Sequence, residues 1–137
     1  MPPMSAGYSG TPLAKKLSLK PGLRAWWDGI PDSVAAEIGA SGVIRLAAPE
    51  APIDAAHIFV TDRATMTAKL TYLRPFLAPT GFLWVSWPKK ASKVPTDITE
   101  DAIRAVILPT TDLVDVKVCA VDAVWSGLKL MIRKSAR

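Results

Sequence analysis

Residues 56–61, Ala-His-Ile-Phe-Val-Thr, form an almost unbroken apolar run in front of Asp62. A strand with one wet face alternates apolar and polar residues, whereas a strand covered on both faces does not. The run therefore predicts a strand inside a parallel sheet, with helices over both faces. The residues that follow agree. Asp62 is placed as a helix N-cap, and Met66, Leu70, Leu73 and Leu77 recur at i, i+4, i+7 and i+11, an apolar stripe for packing on a sheet. Pro75 lacks an N–H and clashes with the preceding turn, so the helix is expected to end near Arg74.

The rest of the chain alternates in the same way. Residues 1–10 read as an irregular arm. Thr11 is placed to cap, and Pro12 to open, a short helix over 13–17. Lys20-Pro21-Gly22 is a turn and 23–27 a strand. Asp32 or Ser33 can cap a helix ending at Ile38, with Gly39 closing it in a left-handed conformation. Residues 43–46 read as a second strand and 47–55 as a loop. Thr80-Gly81 is a turn before a strand over 82–87. Asp97 with Glu100, or Thr99, caps a helix reaching Leu108, with Ile103, Val106 and Ile107 inward. The link between strands over 114–121 and 128–133 is too short for a crossover, so these form an antiparallel hairpin. The expected fold is α/β: a three-layer sandwich around a mostly parallel sheet of about six strands, closed by that hairpin, in a single domain over residues 1–137.

Composition excludes several function classes. One cysteine excludes a disulfide scaffold and a zinc–cysteine cluster, and one histidine excludes histidine-rich metal sites, so no metal is expected. No P-loop, GxSxG, HExxH or paired CxxC occurs. No apolar run is long enough to span a membrane, and with no signal-peptide pattern the cytoplasm is the expected location. Seventeen Lys and Arg against twelve Asp and Glu give a net charge of +5. Such a surface is either simply solvated or suited to an acidic partner. The excess lies at Lys15, Lys16, Lys20 and Arg24, at Lys89, Lys90 and Lys93, and at Lys129, Arg133, Lys134 and Arg137.

Open parallel sheets hold ligands beyond the carboxyl ends of their strands. The first strand delivers Asp28 and Gly29 to that rim, the 56–61 strand Thr61 and Asp62, and the 82–87 strand Ser86, Trp87, Lys89 and Lys90. If the 114–121 strand runs parallel to these, its hairpin adds Asp122, Trp125 and Ser126. Lysines suit phosphate or carboxylate, and Trp87 and Trp125 offer rings for stacking. An anionic, partly aromatic ligand would fit such a rim. The plainer expectation is a solvated loop with tryptophans against the sheet edge. His57, opening its strand, is expected at the opposite end as a structural histidine. Cys119 is expected as a core thiol, Asp28 and Asp62 as caps, and Trp26 and Trp27 on opposite sheet faces.

Leu77 to Ser86, LAPTGFLWVS, resembles the phrase that leads into the fifth strand of class I S-adenosylmethionine-dependent methyltransferases, and Leu17 to Gly29, LSLKPGLRAWWDG, resembles the lead into their first. The resemblance covers about residues 11–134 and implies a Rossmann-like sheet. In that family the first loop carries several glycines; here Gly29 is followed by Ile30 and Pro31. An acid usually ends the second strand and holds the cofactor ribose; here Leu46-Ala47-Ala48 stands there, with Glu50 further on. Thr61-Asp62-Arg63 replaces the (Asp/Asn)-Pro-Pro-(Tyr/Phe) motif, and the short 47–55 link implies that the third strand is missing. The segments AGYSGTPLAKKL, LWVSWPKKAS, VPTDITED and VDVKVCAVDAVWSGLKL are also similar to a family of short, uncharacterised bacterial proteins of unknown function.

The expectation that follows is a degenerate, non-catalytic methyltransferase-like module with no cofactor, binding an anionic small molecule or a protein partner at the rim. The alternatives are an active methyltransferase using S-adenosylmethionine, and a nucleic-acid-binding protein using the basic groups.

Overall fold

The computed structural model describes residues 11–137; the arm expected over residues 1–10 lies outside them. Six strands form one sheet: β1 (Arg24–Asp28), β2 (Ile44–Arg45), β3 (Ile53–Phe59), β4 (Leu77–Pro88), β5 (Leu113–Ala120) and β6 (Trp125–Ile132), in the order β2-β1-β3-β4-β6-β5. The pairs among β2, β1, β3 and β4 are parallel, and β6 runs antiparallel to both β4 and β5. Four helices cover the sheet: α1 (Leu13–Lys16), α2 (Asp32–Ile38), α3 (Arg63–Leu73) and α4 (Glu100–Thr110). The mostly parallel, Rossmann-like sandwich expected from the apolar run is the observed fold.

The core has two halves, one on each sheet face. One packs α3 and α4 on the sheet through Met66, Leu70, Leu73, Ile103 and Ile107, against Ile58, Leu83, Val85 and Leu128. The other packs α1 and α2 through Leu13, Leu17, Val34 and Ile38, against Trp27, Phe59 and Trp84. The Trp84 indole N–H donates to the Leu17 carbonyl at 3.0 Å, which anchors the end of α1. Trp26 packs on the α3 face and Trp27 on the α1 face, as strand alternation requires. Cys119 is buried among the second cluster, as expected of a core thiol, and burial pushes its pKa up.

Several local expectations are corrected. The N-cap of α1 is Pro12 rather than Thr11, and that of α2 is Pro31, so neither Asp32 nor Ser33 caps with its side chain. Asp62 and Thr99 do cap: Asp62 accepts from the Thr65 N–H at 2.8 Å and Thr99 from the Ala102 N–H at 3.0 Å. Asp97 forms no capping box; it accepts from the Arg63 N–H and so ties the two helix starts together. α3 stops at Leu73, and Arg74–Phe76 tightens into a 3-10 turn around Pro75. Leu77 is thus the first residue of β4 and not part of the helix stripe.

The largest departure concerns β4. Thr80-Gly81 does not turn the chain before the strand; both lie inside it. Ile53 pairs with Leu77 and Ala55 with Phe82, so two steps along β3 face five along β4. Residues 78–81 form the bulge that absorbs the difference. Gly81 is required there because a Cβ would sit 2.7 Å from the Ile53 carbonyl oxygen. β3 likewise starts at Ile53, three residues before the apolar run. Asp54 is tolerated inside it because its carboxylate accepts from the Arg24 N–H at 2.9 Å.

Candidate functional site

β5 is parallel to β4 because each is antiparallel to β6. Asp28, Phe59, Pro88 and Ala120 therefore end their strands on one edge, and Trp125 opens β6 on that same edge. The register carries Asp28 to Ile58 and Ile58 to Val85, two strand spacings or about 10 Å. The rim foreseen from strand order exists, but its side chains are disposed differently.

Asp28 does not cap a helix. Its carboxylate meets the Lys69 ammonium of α3 at 2.7 Å, tying the end of β1 to the α3 face. Gly29 takes φ +73°, and a Cβ there would lie 3.3 Å from the Phe59 carbonyl oxygen. Thr61 is exposed and its carbonyl accepts from the Thr96 hydroxyl at 2.6 Å. Asp62 is held by its cap; the Thr65 N–H keeps its carboxyl below the ordinary aspartate range.

Ser86 and Trp87 are corrected as surface groups. β4 is flanked by β3 and β6 and covered on both faces, so residues one or two positions from its end are still interior. Ser86 is 0% exposed, and Trp87 is 8% exposed and part of the α3-side core. The polar atom of Ser86 is spent on His57: Ser86 Oγ and His57 Nε2 are 2.6 Å apart. His57 lies two residues before the end of β3 and not at its opposite end, because that strand begins earlier than its apolar run. It is stacked on Phe59 at 4.2 Å between ring centroids, and burial pushes its pKa down to about 3. It is an interior residue, and its expected position at the opposite end of the sheet is overturned.

The accessible rim consists of Lys89, Lys90 and Lys93 after β4, and the turn before β6. Lys89 donates its N–H to the Val124 carbonyl at 2.7 Å, which brings these two segments together. Asp122 accepts from the Val124 and Trp125 N–H groups at 2.8 and 2.7 Å and so shapes the turn. Trp125 is half-buried, edge-on to Phe59 at 5.3 Å, and Ser126 is half-buried beside it. Among the described residues, Lys89, Lys90 and Lys93 enter no ion pair.

The loop after β1, where the resemblance to methyltransferases expects glycines, is packed inward. Gly29 is turned onto the Phe59 backbone, Ile30 packs with the α1-side core, and Pro31 has no N–H to offer. Glu50, the first acid after β2, pairs instead with the start of β1. Its carboxylate lies 3.9 Å from Arg24, the first residue of β1, at the opposite edge of the sheet.

Two features were missed by sequence reasoning. A groove of about 450 Å³ lies at that opposite edge, lined by Leu70, Arg74, Pro75, Thr111, Asp112 and Leu113. The Arg74–Asp112 pair bridges it through two hydrogen bonds of 2.8 and 2.6 Å. The other is a group of lysines from distant segments. Lys117 and Lys129 are direct partners across β5 and β6, and the Lys129 ammonium donates to the Ser18 hydroxyl at 3.0 Å. Lys20 and Lys129 belong to basic runs visible in the sequence and Lys117 to none; that the three meet on one sheet face depends on register.

No protein-family model matches this chain, and no curated protein matches it in sequence. Solved structures do match in fold. A Sulfolobus solfataricus protein provisionally assigned to the type 11 methyltransferases superposes with a TM-score of 0.58 at 12% identity, over 88% of this chain and 89% of that one. The fibrillarin pre-rRNA processing protein of Methanococcus jannaschii gives 0.52 at 10% identity, over 93% and 71%. LepI in complex with SAM gives 0.54 at 11% identity, over 88% of this chain and 39% of LepI. The fold is methyltransferase-like, of the class I, Rossmann-like kind. β2 is the outer strand on the parallel side, and residues 46–52 alone connect it to β3. No helix among the described residues is long and apolar enough to cross a membrane.

Proposed function

We propose that this chain is a non-catalytic binding module built on a methyltransferase-like fold, taking an anionic small molecule at the carboxyl-end rim of its sheet. The observation that carries this reading is the distribution of acids. Asp28 is engaged by Lys69, Asp62 and Asp122 by backbone N–H groups, and Glu50 stands at the far edge with Arg24. Among the described residues, Lys89 and Lys90 have no acid partner beside the half-buried Trp125. Ammonium groups at a strand-end rim attract phosphate or carboxylate, and the indole supplies an apolar wall. The site residues are Lys89, Lys90, Trp125 and Ser126, with Gly29, Thr61 and Asp62 along the same edge.

The competing reading is a methyltransferase that binds S-adenosylmethionine. It draws on the fold alone, and Gly29 and Glu50 argue against it for the reasons given above.

Thermal-shift titration separates the two, because a ligand bound by the native state raises the melting temperature. Phosphate-bearing ligands such as ATP are expected to raise it. Lys89→Ala combined with Lys90→Ala is expected to abolish that rise while leaving the ligand-free melting temperature unchanged. Saturable binding of S-adenosylmethionine that survives the double substitution would overturn the proposal in favour of the enzyme. The absence of any shift with phosphate-bearing ligands would overturn it as well.

A further inference from the structure

The α1 side of the β5–β6 pair concentrates positive charge, and among the described residues Lys20, Lys117 and Lys129 enter no ion pair. Lys117 and Lys129 stand directly opposite each other in the antiparallel ladder. Like charges in that relation repel, and the pair is a net cost to the sheet. Lys129 is half-buried, with its ammonium 4.5 Å from the Phe82 ring centroid and 3.0 Å from the Ser18 hydroxyl. Loss of hydration, then the charges of Lys117 and Lys20, push its pKa down, and no carboxylate pulls it back. Lys16 extends the group toward the rim by donating to the Ala120 carbonyl at 2.7 Å, three residues along β5 from Lys117, or about 10 Å.

The local backbone is also shaped for this arrangement. Ser18 takes φ +63°, a left-handed conformation that non-glycine residues adopt at a cost. It ends α1 by donating its N–H to the Lys15 carbonyl, while the Leu19 N–H reaches the Ala14 carbonyl. The turn presents the Ser18 hydroxyl to Lys129 and leads the chain on to Lys20.

We propose that this face is a docking surface for the sugar–phosphate backbone of a nucleic acid, recognised by charge and without reading of bases. Charge complementarity selects a polyanion. Lys16 at Ala120 and the Lys117–Lys129 pair lie about 10 Å apart along β5, a spacing that suits successive phosphates better than a single small anion. The aromatic rings beneath them, Phe82 and Trp84, are buried, so neither offers a face for base stacking. The chain's own residues 1–10 contain no Asp or Glu and cannot supply the missing negative charge. The surface is independent of the rim proposal, because Lys20, Lys117 and Lys129 are not among the rim residues.

The test is fluorescence anisotropy of the full chain with a labelled duplex of about 20 base pairs, from about 50 to 200 mM salt, where phosphate neutralisation makes log K fall linearly with log salt. Lys20→Gln and Lys117→Gln change exposed side chains and leave the core intact. Each is expected to weaken binding and to reduce the salt slope by about 0.9, with Lys129→Gln behaving alike. No binding at the lowest salt, or binding whose slope is untouched by these substitutions, would overturn the proposal. So would retention of polyglutamate with no retention of the duplex, which would assign the face to an acidic protein instead.

Discussion

The buried His57–Ser86 pair makes acid sensitivity of the fold a direct consequence of one side chain. His57 is fully buried, and loss of hydration pushes its pKa down to about 3. In the unfolded chain an imidazole titrates near pH 6.5. Between these values the unfolded state binds a proton that the folded state refuses, so stability is full above about pH 6.5 and declines as pH falls toward 3. Going from about pH 7.5 to about pH 5.0, that single proton removes about 2 kcal/mol of unfolding free energy. The window is clean. This is the chain's single histidine, and the carboxylates of Asp62, Asp112 and Asp115 are held below the ordinary range by their hydrogen bonds. Those carboxylates are stabilising above the unfolded aspartate pKa and lose their contribution only at lower pH. Replacing His57 alone by Phe would strand the buried Ser86 hydroxyl, at about 1–3 kcal/mol. The informative protein is His57→Phe with Ser86→Ala, which removes both polar partners and keeps a ring against Phe59 and Trp27. Urea unfolding of wild type should lose about 2 kcal/mol across that pH interval, while the double variant stays flat. Equal losses in both proteins would refute the assignment of acid sensitivity to His57.

Two further predictions concern positions where the backbone sets the outcome. Thr99→Ala deletes the cap of α4 and should cost about 1 kcal/mol in urea unfolding, with Thr99→Ser restoring most of it. Gly81→Ala places a Cβ 2.7 Å from the Ile53 carbonyl oxygen and should destabilise by about 1–3 kcal/mol; an unchanged midpoint would show that the β4 bulge relaxes freely.

Features carried by neighbouring residues were legible in the sequence. The Asp62 cap and the Pro75 break depend on interactions within a few positions and are found where expected, whereas the strand of the apolar run lies three residues earlier at its start and β6 begins at Trp125 instead of Leu128. The rim itself followed from strand direction. Its membership did not: Ser86 and Trp87 look like strand-end groups until β3 and β6 are known to flank them and helices to cover them. The Thr80-Gly81 signal was read as a turn because glycine serves turns and bulges alike, and the choice belongs to Ile53 on another strand.

Charge divides along the same line. Net charge and the three basic runs were present in the linear order of residues, as was the exclusion of disulfide and histidine-rich metal chemistry. That Lys117 faces Lys129, that Ser18 turns toward them, and that Glu50 belongs to Arg24 at the far edge were decided by strand register and by the crossings between strands. Helix caps and apolar periodicity are enforced over a few residues of chain, whereas pairing across a sheet is selected by the packing of the whole molecule, where a shift of one residue exchanges one face for the other.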